Sequence, residues 1–186
     1  MIYFGSDWHL DHANVIKFDK RPFDNIEEMN TAIIKNYNSI VKPEDTFYFL
    51  GDFSFAKKKE RIEYQLSQLK GNKFFIKGNH DHRDVIEMYK KYGTYLGGMS
   101  EIKVNGQTIV LNHYAMRVWN KSHHGSYHLY GHSHGSLPED PHSLSFDVGV
   151  NCNNYMPISF EEVERRMKSK NYLPVDHHGQ RDFEKH

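Results

Sequence analysis

Ile2-Tyr3-Phe4-Gly5-Ser6-Asp7-Trp8-His9 opens the chain with a short apolar run that turns, within a few residues, into an aspartate and a histidine. Alternate side chains of an extended segment point the same way, so Asp7 and His9 share one side, as chelation by a single strand end requires. The pattern recurs four times. Phe47-Tyr48-Phe49-Leu50 runs into Gly51-Asp52, and Phe74-Phe75-Ile76 leads to Gly78-Asn79-His80-Asp81. Ile109-Val110-Leu111 leads to Asn112-His113, and Leu129-Tyr130 to Gly131-His132-Ser133-His134. One such end is ordinary turn chemistry, because Asp, Asn and His are common at turns. Five in order are poorly explained that way. Open α/β sheets hold their ligands outside the carboxyl ends of the strands, so these loops are expected to converge at one sheet edge. Glycines at 51, 78 and 131 allow sharp turns and close backbone approach there.

Between these ends the sequence reads as helices. Asp24–Val41 carries Ile26, Met29, Ile33, Ile34, Tyr37 and Ile40 at helical spacing, with Asp24 and Glu27 as a capping box. Lys57–Lys70 reads as a helix on Ile62, Leu66 and Leu69, and Asp84–Tyr92 as a shorter one. Ile2–Ser6, Thr46–Leu50 and Lys73–Lys77 read as strands. Asn105-Gly106 predicts a hairpin between Glu101–Val104 and Thr108–Asn112. Tyr127–Tyr130 and Leu144–Val150 read as further strands, and Ser159 with Glu162 caps a last helix to about Lys168. The result is an α/β domain with a mixed sheet and helices outside it. The expected organisation is one domain over residues 1–170 and an irregular tail over 171–186.

Composition narrows the function classes. In 186 residues, 24 basic side chains balance 24 acidic ones, which gives no support to a general nucleic-acid or membrane-surface binder. A single cysteine, Cys152, excludes an internal disulfide, and the opening residues, without a basic stretch, give no expectation of a signal peptide. A cytoplasmic location is the expectation. The aromatic fraction of 14% implies that large rings carry much of the packing, and 14 histidines raise the question of metal.

The ordered set Asp7-x-His9, Gly51-Asp52, Gly78-Asn79-His80-Asp81, His113 and Gly131-His132-x-His134 resembles the calcineurin-like metallophosphoesterase superfamily. The motifs span Asp7 to His134, and the strand pattern extends the likeness to about Ser159. Asp11-His12-x-Asn14 and Arg21-Pro22-Phe23 are similar to a compact bacterial and phage subgroup. The resemblance implies an αββα sandwich of mixed β-sheets flanked by helices, and a two-metal centre. Asp7, His9, Asp52 and His134 would hold one ion, and Asp52, Asn79, His113 and His132 the other, with Asp52 bridging. Oxygen and imidazole donors without thiolate suit Mn, Fe, Zn, Co or Ni. Manganese is the first expectation, from common family usage.

The reaction so implied is hydrolysis of a phosphate ester by in-line attack of a metal-bridging hydroxide. His80 would be the catalytic residue, protonating the leaving oxygen or stabilising charge on the phosphoryl group. Asp81 is expected to tie down its own turn. His12, Asn14, Arg21 and Tyr114 are candidates for substrate contact, Arg21 as a bidentate phosphate partner. Their bland alternatives are a turn or cap for Asn14, a solvated cation for Arg21 and core packing for Tyr114. His123-His124 and His177-His178 read as loop histidines, Lys57-Lys58-Lys59 as a solvated helix start, and Cys152 as a partly buried small residue.

The expected substrate is a small phosphate ester, a diester ahead of a monoester, with nucleotides among the candidates. Phe53-Ser54-Phe55 after Gly51-Asp52 replaces the Asp-Arg-Gly of the superfamily's protein serine/threonine phosphatases, which argues against a protein substrate. A catalytically silent metal-binding scaffold for protein partners is the rival reading. It predicts missing ligands, whereas every motif position here is filled.

Overall fold

A computed structural model describes residues 1–176 of the chain. In order, the first half runs β1 (Ile2–Gly5), α1 (Ala13–Phe18), α2 (Ile26–Ile40), β2 (Thr46–Phe49), α3 (Lys59–Ser67), β3 (Asn72–Phe75), α4 (Arg83–Tyr92) and β4 (Thr94–Tyr95). The second half runs β5 (Met99–Val104), β6 (Gln107–Asn112), β7 (Tyr127–Tyr130), β8 (Ser145–Asp147), β9 (Ile158–Ser159) and α5 (Phe160–Lys168).

The strands form two sheets. The first has the order β4-β3-β2-β1-β9, parallel except for β9, and the second has the order β5-β6-β7-β8. In the second, the β5–β6 hairpin is antiparallel while β6–β7 and β7–β8 are parallel. The expectation of strand ends on a single sheet edge is therefore corrected. Three of the ends that carry candidate ligands (β1, β2, β3) belong to one sheet and two (β6, β7) to the other.

Each sheet face has a distinct cover. Met29, Ile33 and Tyr37 of α2, Ile62 and Leu66 of α3, and Val85 and Tyr89 of α4 form one core with Tyr3, Phe47, Phe49 and Phe75 of the first sheet. Rings dominate this core: Trp8 lies 5.3 Å from Phe49 and 5.6 Å from Phe53, and Phe75 stacks on Tyr89 at 4.2 Å. Offset and edge-on ring pairs contribute beyond their buried area. The second core joins the sheets, with Phe4, Leu50 and Ile76 against Ile109, Leu111 and Leu129, closed by Phe160, Val163 and Met167 of α5. The loop after β6 covers part of the second sheet, where Trp119 packs 5.2 Å from His128 of β7.

Local signals account for most helix ends. Ser159 Oγ accepts the Glu162 N–H at the start of α5, as its sequence predicts. At α2 the cap falls one residue later than expected. Asn25 Oδ1 accepts the Glu28 N–H, while the Glu28 carboxylate accepts the Asp24 N–H. Residues 171–176 are irregular, tied back by the Leu173 N–H on the His142 carbonyl at 2.9 Å. His177 and His178 lie outside the described residues.

Candidate metal centre

The two parallel strand sets deliver their loops to one place. Asp7 and His9 follow β1, Asp52 follows β2, Asn79 follows β3, His113 directly follows β6, and His132 and His134 follow β7. Asp7, His9, Asp52 and His113 are buried and form the floor, while Asn79 and His132 stand exposed at the mouth. The seven side chains are brought together. His9 Nε2 faces His134 Nε2 at 3.0 Å and lies 3.5 Å from Asp52 Oδ2. His134 Nε2 is 3.4 Å from Asp7 Oδ1. On the other side His113 Nε2 is 3.4 Å from Asp52 Oδ2, and Asn79 Oδ1 sits 2.8 Å from both His113 Nε2 and His132 Nδ1. Asp52 Oδ2 thus lies between two nests of donors. Ligand atoms of Asp7, His9 and His134, and those of Asp7, Asp52 and His113, each fall within 4.8 Å of one another.

The backbone is bent to achieve this. Asp7, His9, Asp52, His132 and His134 all have left-handed φ, between 47° and 66°. Such conformations are uncommon outside glycine and are most accessible to Asp, Asn and His, so residue type and backbone agree. Their concentration here is local strain held by the surrounding fold. Two glycines permit the close approach. A Cβ at Gly78 would overlap the Asp52 carboxylate, and one at Gly131 would overlap Ser6 Oγ and the Asp7 carboxylate.

The groups behind the ligands are also in place. Asp7 accepts from Ser6 Oγ at 2.6 Å and from the His132 N–H at 3.0 Å. The His80 N–H donates to Asp52 Oδ1 at 2.8 Å. His113 Nδ1 faces the Leu50 carbonyl at 2.8 Å, and His134 Nδ1 faces Asp19 Oδ2 at 2.6 Å, each leaving Nε2 aimed at the centre. Such partners fix ring orientation and tautomer at metal sites. The turn reading of Asp81 agrees with its contacts. Its buried carboxylate accepts the N–H groups of Gly78, Asp52 and Phe53 at 2.8, 3.1 and 3.0 Å.

Charge is strongly coupled here. Burial alone would raise Asp7 and Asp52, but hydrogen bonds and charge from the neighbouring histidines outweigh it and hold both carboxyls below their usual range. Burial would lower His113, yet the Asp52 hydrogen bond and the charges of Asp7 and Asp52 carry it up to about 9. Burial depresses His9. A floor of ionised carboxylates ringed by imidazoles fits divalent cations well. Four imidazoles, two carboxylates and an amide oxygen, with Cys152 outside the set, match borderline ions.

The remaining candidates separate. His80 is exposed at the mouth, its ring 5.6 Å from His9 and 4.8 Å from Phe55. His12 is half-buried and stacks on Phe55 at 4.0 Å, with its Nδ1 buried and unpartnered. Tyr114 is 49% exposed, its ring 4.6 Å from His132, which places it at the mouth and not in the core. Asn14 is exposed on the first turn of α1. Arg21 is neither a solvated cation nor poised for phosphate. It is buried, donating to the carbonyls of Trp8 at 2.8 Å and Asp7 at 2.9 Å and to Asp19, so it braces the loop that carries two of the candidate ligands.

Sequence reasoning passed over Asp19 and Phe55. Asp19 also accepts from Asn151 at 3.2 Å, and Phe55 lies between the His12 and His80 rings. Neither carries a local signature that marks it.

The relatives of this chain share its extent. An uncharacterised protein of Methanocaldococcus jannaschii is 36% identical, with 87% of this chain and 88% of that one aligned. The gene 66 protein of Mycobacterium phage L5 is 26% identical over 81% of this chain and 86% of its own. Among solved structures, a protein of unknown function from Aquifex aeolicus matches with a TM-score of 0.69 at 25% identity, covering 89% of this chain and 98% of that one. A structure described as a novel archaeal phosphodiesterase shares the fold with a TM-score of 0.50 at 18% identity, over 80% and 81% of the two chains. The family model for calcineurin-like phosphoesterases matches residues 1–179, so that the site just described sits in a chain that belongs to the calcineurin-like phosphoesterase family.

Proposed function

We propose that the protein is a dinuclear metal-dependent phosphoesterase acting on small phosphate esters, diesters in preference to monoesters. The observation that carries this reading is the position of Asp52 Oδ2 between two nests, 3.5 Å from His9 Nε2 and 3.4 Å from His113 Nε2. In it, Asp7, His9, Asp52 and His134 hold one divalent ion and Asp52, Asn79, His113 and His132 the other, manganese before iron, zinc, nickel or cobalt. Bound ions supply Lewis acidity and activate water at neutral pH.

The chain's own residues do the rest. Buried Asp7 and Asp52 remain ionised and keep the floor negative. Asp19 and the Leu50 carbonyl orient His134 and His113. His80, exposed beside His9 and backed by Phe55, is placed to give a proton to the departing ester oxygen. The mouth formed by Asn79, His80, His132 and Tyr114 is open, which leaves room for a second substituent on phosphorus and supports a diester. Phe53 is spent on the ring core and Ser54 on Gln65, so nothing there resembles protein-phosphatase chemistry.

The test is to strip the protein with chelator and assay bis-p-nitrophenyl phosphate and p-nitrophenyl phosphate with Mn, Mg, Zn, Ni and Co added singly. Metal-restored turnover is expected to be higher on the diester and to be lost in His80→Ala and Asp52→Asn. Tight binding of metal with no turnover of either ester would favour a silent scaffold, and absence of metal binding would overturn the site.

A further inference from the structure

Phe18 stands out among the surface residues. It ends α1, is 74% exposed, and lines a cleft of about 710 Å³ together with Lys20, His132, Ser133, His134 and Ser136. Two of those residues belong to the candidate metal centre. The next residue, Asp19, holds His134 at 2.6 Å, so the backbone under Phe18 is anchored directly to the centre. The ring is also backed. Phe18 packs 6.4 Å from His12, His12 stacks on Phe55, and Phe55 lies 4.8 Å from His80, so a row of rings runs from the cleft to the candidate acid.

We infer that this cleft is the subsite for the organic group of the substrate, and that it selects esters carrying a planar aromatic ring, with Phe18 as the stacking platform. The inference rests on the phosphoesterase reading and narrows it. A phosphoryl group held against His132 and His134 puts its substituent in the cleft these residues line. A large apolar ring left in water at that point gains most by covering a flat π-surface. Asp19 also lines the cleft, but its carboxylate is taken up by His134, Arg21 and Asn151, so Lys20 and the hydroxyls of Ser133 and Ser136 supply the groups left to meet an anionic ester. A nucleobase and a simple aryl group share this chemistry.

The test is calorimetric and is run in the His80→Ala background, so that the esters are bound and not consumed. Adenosine 5′-phosphate, phenyl phosphate and inorganic phosphate are titrated into this manganese-loaded protein with the wild-type Phe18, with Phe18→Ala and with Phe18→Trp. The ring is mostly exposed, so the alanine variant keeps the fold. Both aromatic ligands are expected to outbind phosphate with Phe18 in place. Phe18→Ala should weaken them roughly 5- to 150-fold, the equivalent of ~1–3 kcal/mol for one aromatic stack. Phosphate should be unaffected, and Phe18→Trp should restore the aromatic ligands. Loss confined to adenosine 5′-phosphate would support the subsite in a form restricted to nucleobases. Unchanged aromatic affinities in Phe18→Ala, or an equal loss for phosphate, would overturn the inference while leaving the phosphoesterase reading intact. Failure of all three ligands to bind with Phe18 in place would overturn both.

Discussion

His128 offers the sharpest quantitative check on the structure. It lies in β7 with no exposed surface, Nδ1 3.0 Å from the Val110 carbonyl and Nε2 accepting the Met116 N–H at 3.1 Å. Accepting that N–H requires a lone pair on Nε2, so the ring is neutral with its proton on Nδ1. Burial drives its pKa from 6.5 down to about 4, against the pull of the Val110 and Tyr114 carbonyls. The unfolded chain therefore binds more protons than the folded one between these values. The stability this neutral ring contributes is complete above pH 6.5 and is lost as pH falls toward 4. Relative to pH 7, the loss at pH 5 comes to about 2 kcal/mol, and its limit below pH 4 is about 3 kcal/mol. His128→Gln removes the titration while keeping an acceptor for Met116 and a donor for Val110. Urea denaturation of chelator-treated protein at pH 7 and pH 5 reads the difference. Wild type should lose about 2 kcal/mol more than the variant over that interval. An equal loss in both would refute the reasoning.

Two further outcomes follow from the site. Asp81→Ala deprives three buried N–H groups of their acceptor and should cost at least about 3 kcal/mol in chemical denaturation. Asp81→Asn should cost less, because an amide oxygen can keep two of the three, and an alanine variant within about 1 kcal/mol of wild type would contradict the account. Asp19→Asn should lower manganese affinity roughly 10- to 100-fold, by loosening His134, when measured by calorimetry. Wild-type affinity in that variant would remove Asp19 from any orienting role.

Which features were legible in the sequence follows from where their causes lie. The Ser159 cap and the Asn105-Gly106 hairpin are local, and both appear as read. Asp24–Glu27 and Asn25–Glu28 are equally good capping pairs on paper, and only the fold chooses the second. The two-residue strands β4 and β9 and the six-residue α1 are too short to carry a period. The division into two sheets was hidden because both sheets bury side chains in the core between them, so Phe4 and Leu111 look alike in sequence. The convergence of the seven candidate ligands was legible because each follows an apolar run. Arg21 was misjudged because its partners are carbonyls of Asp7 and Trp8, and every residue has a carbonyl.

The drawing of one centre from two sheets has a consequence for biosynthesis. His9 and His134 meet at 3.0 Å although 125 positions separate them along the chain. At translation speeds of about 5–20 residues per second, His9 waits roughly 6–25 s before His134 is made. During that interval Asp7 and His9, joined part-way by Asp52, form only a fragment of the candidate centre. Possession of a complete centre is thus a property of the finished chain, and under the proposed function ion uptake would read out whether the two sheets have joined.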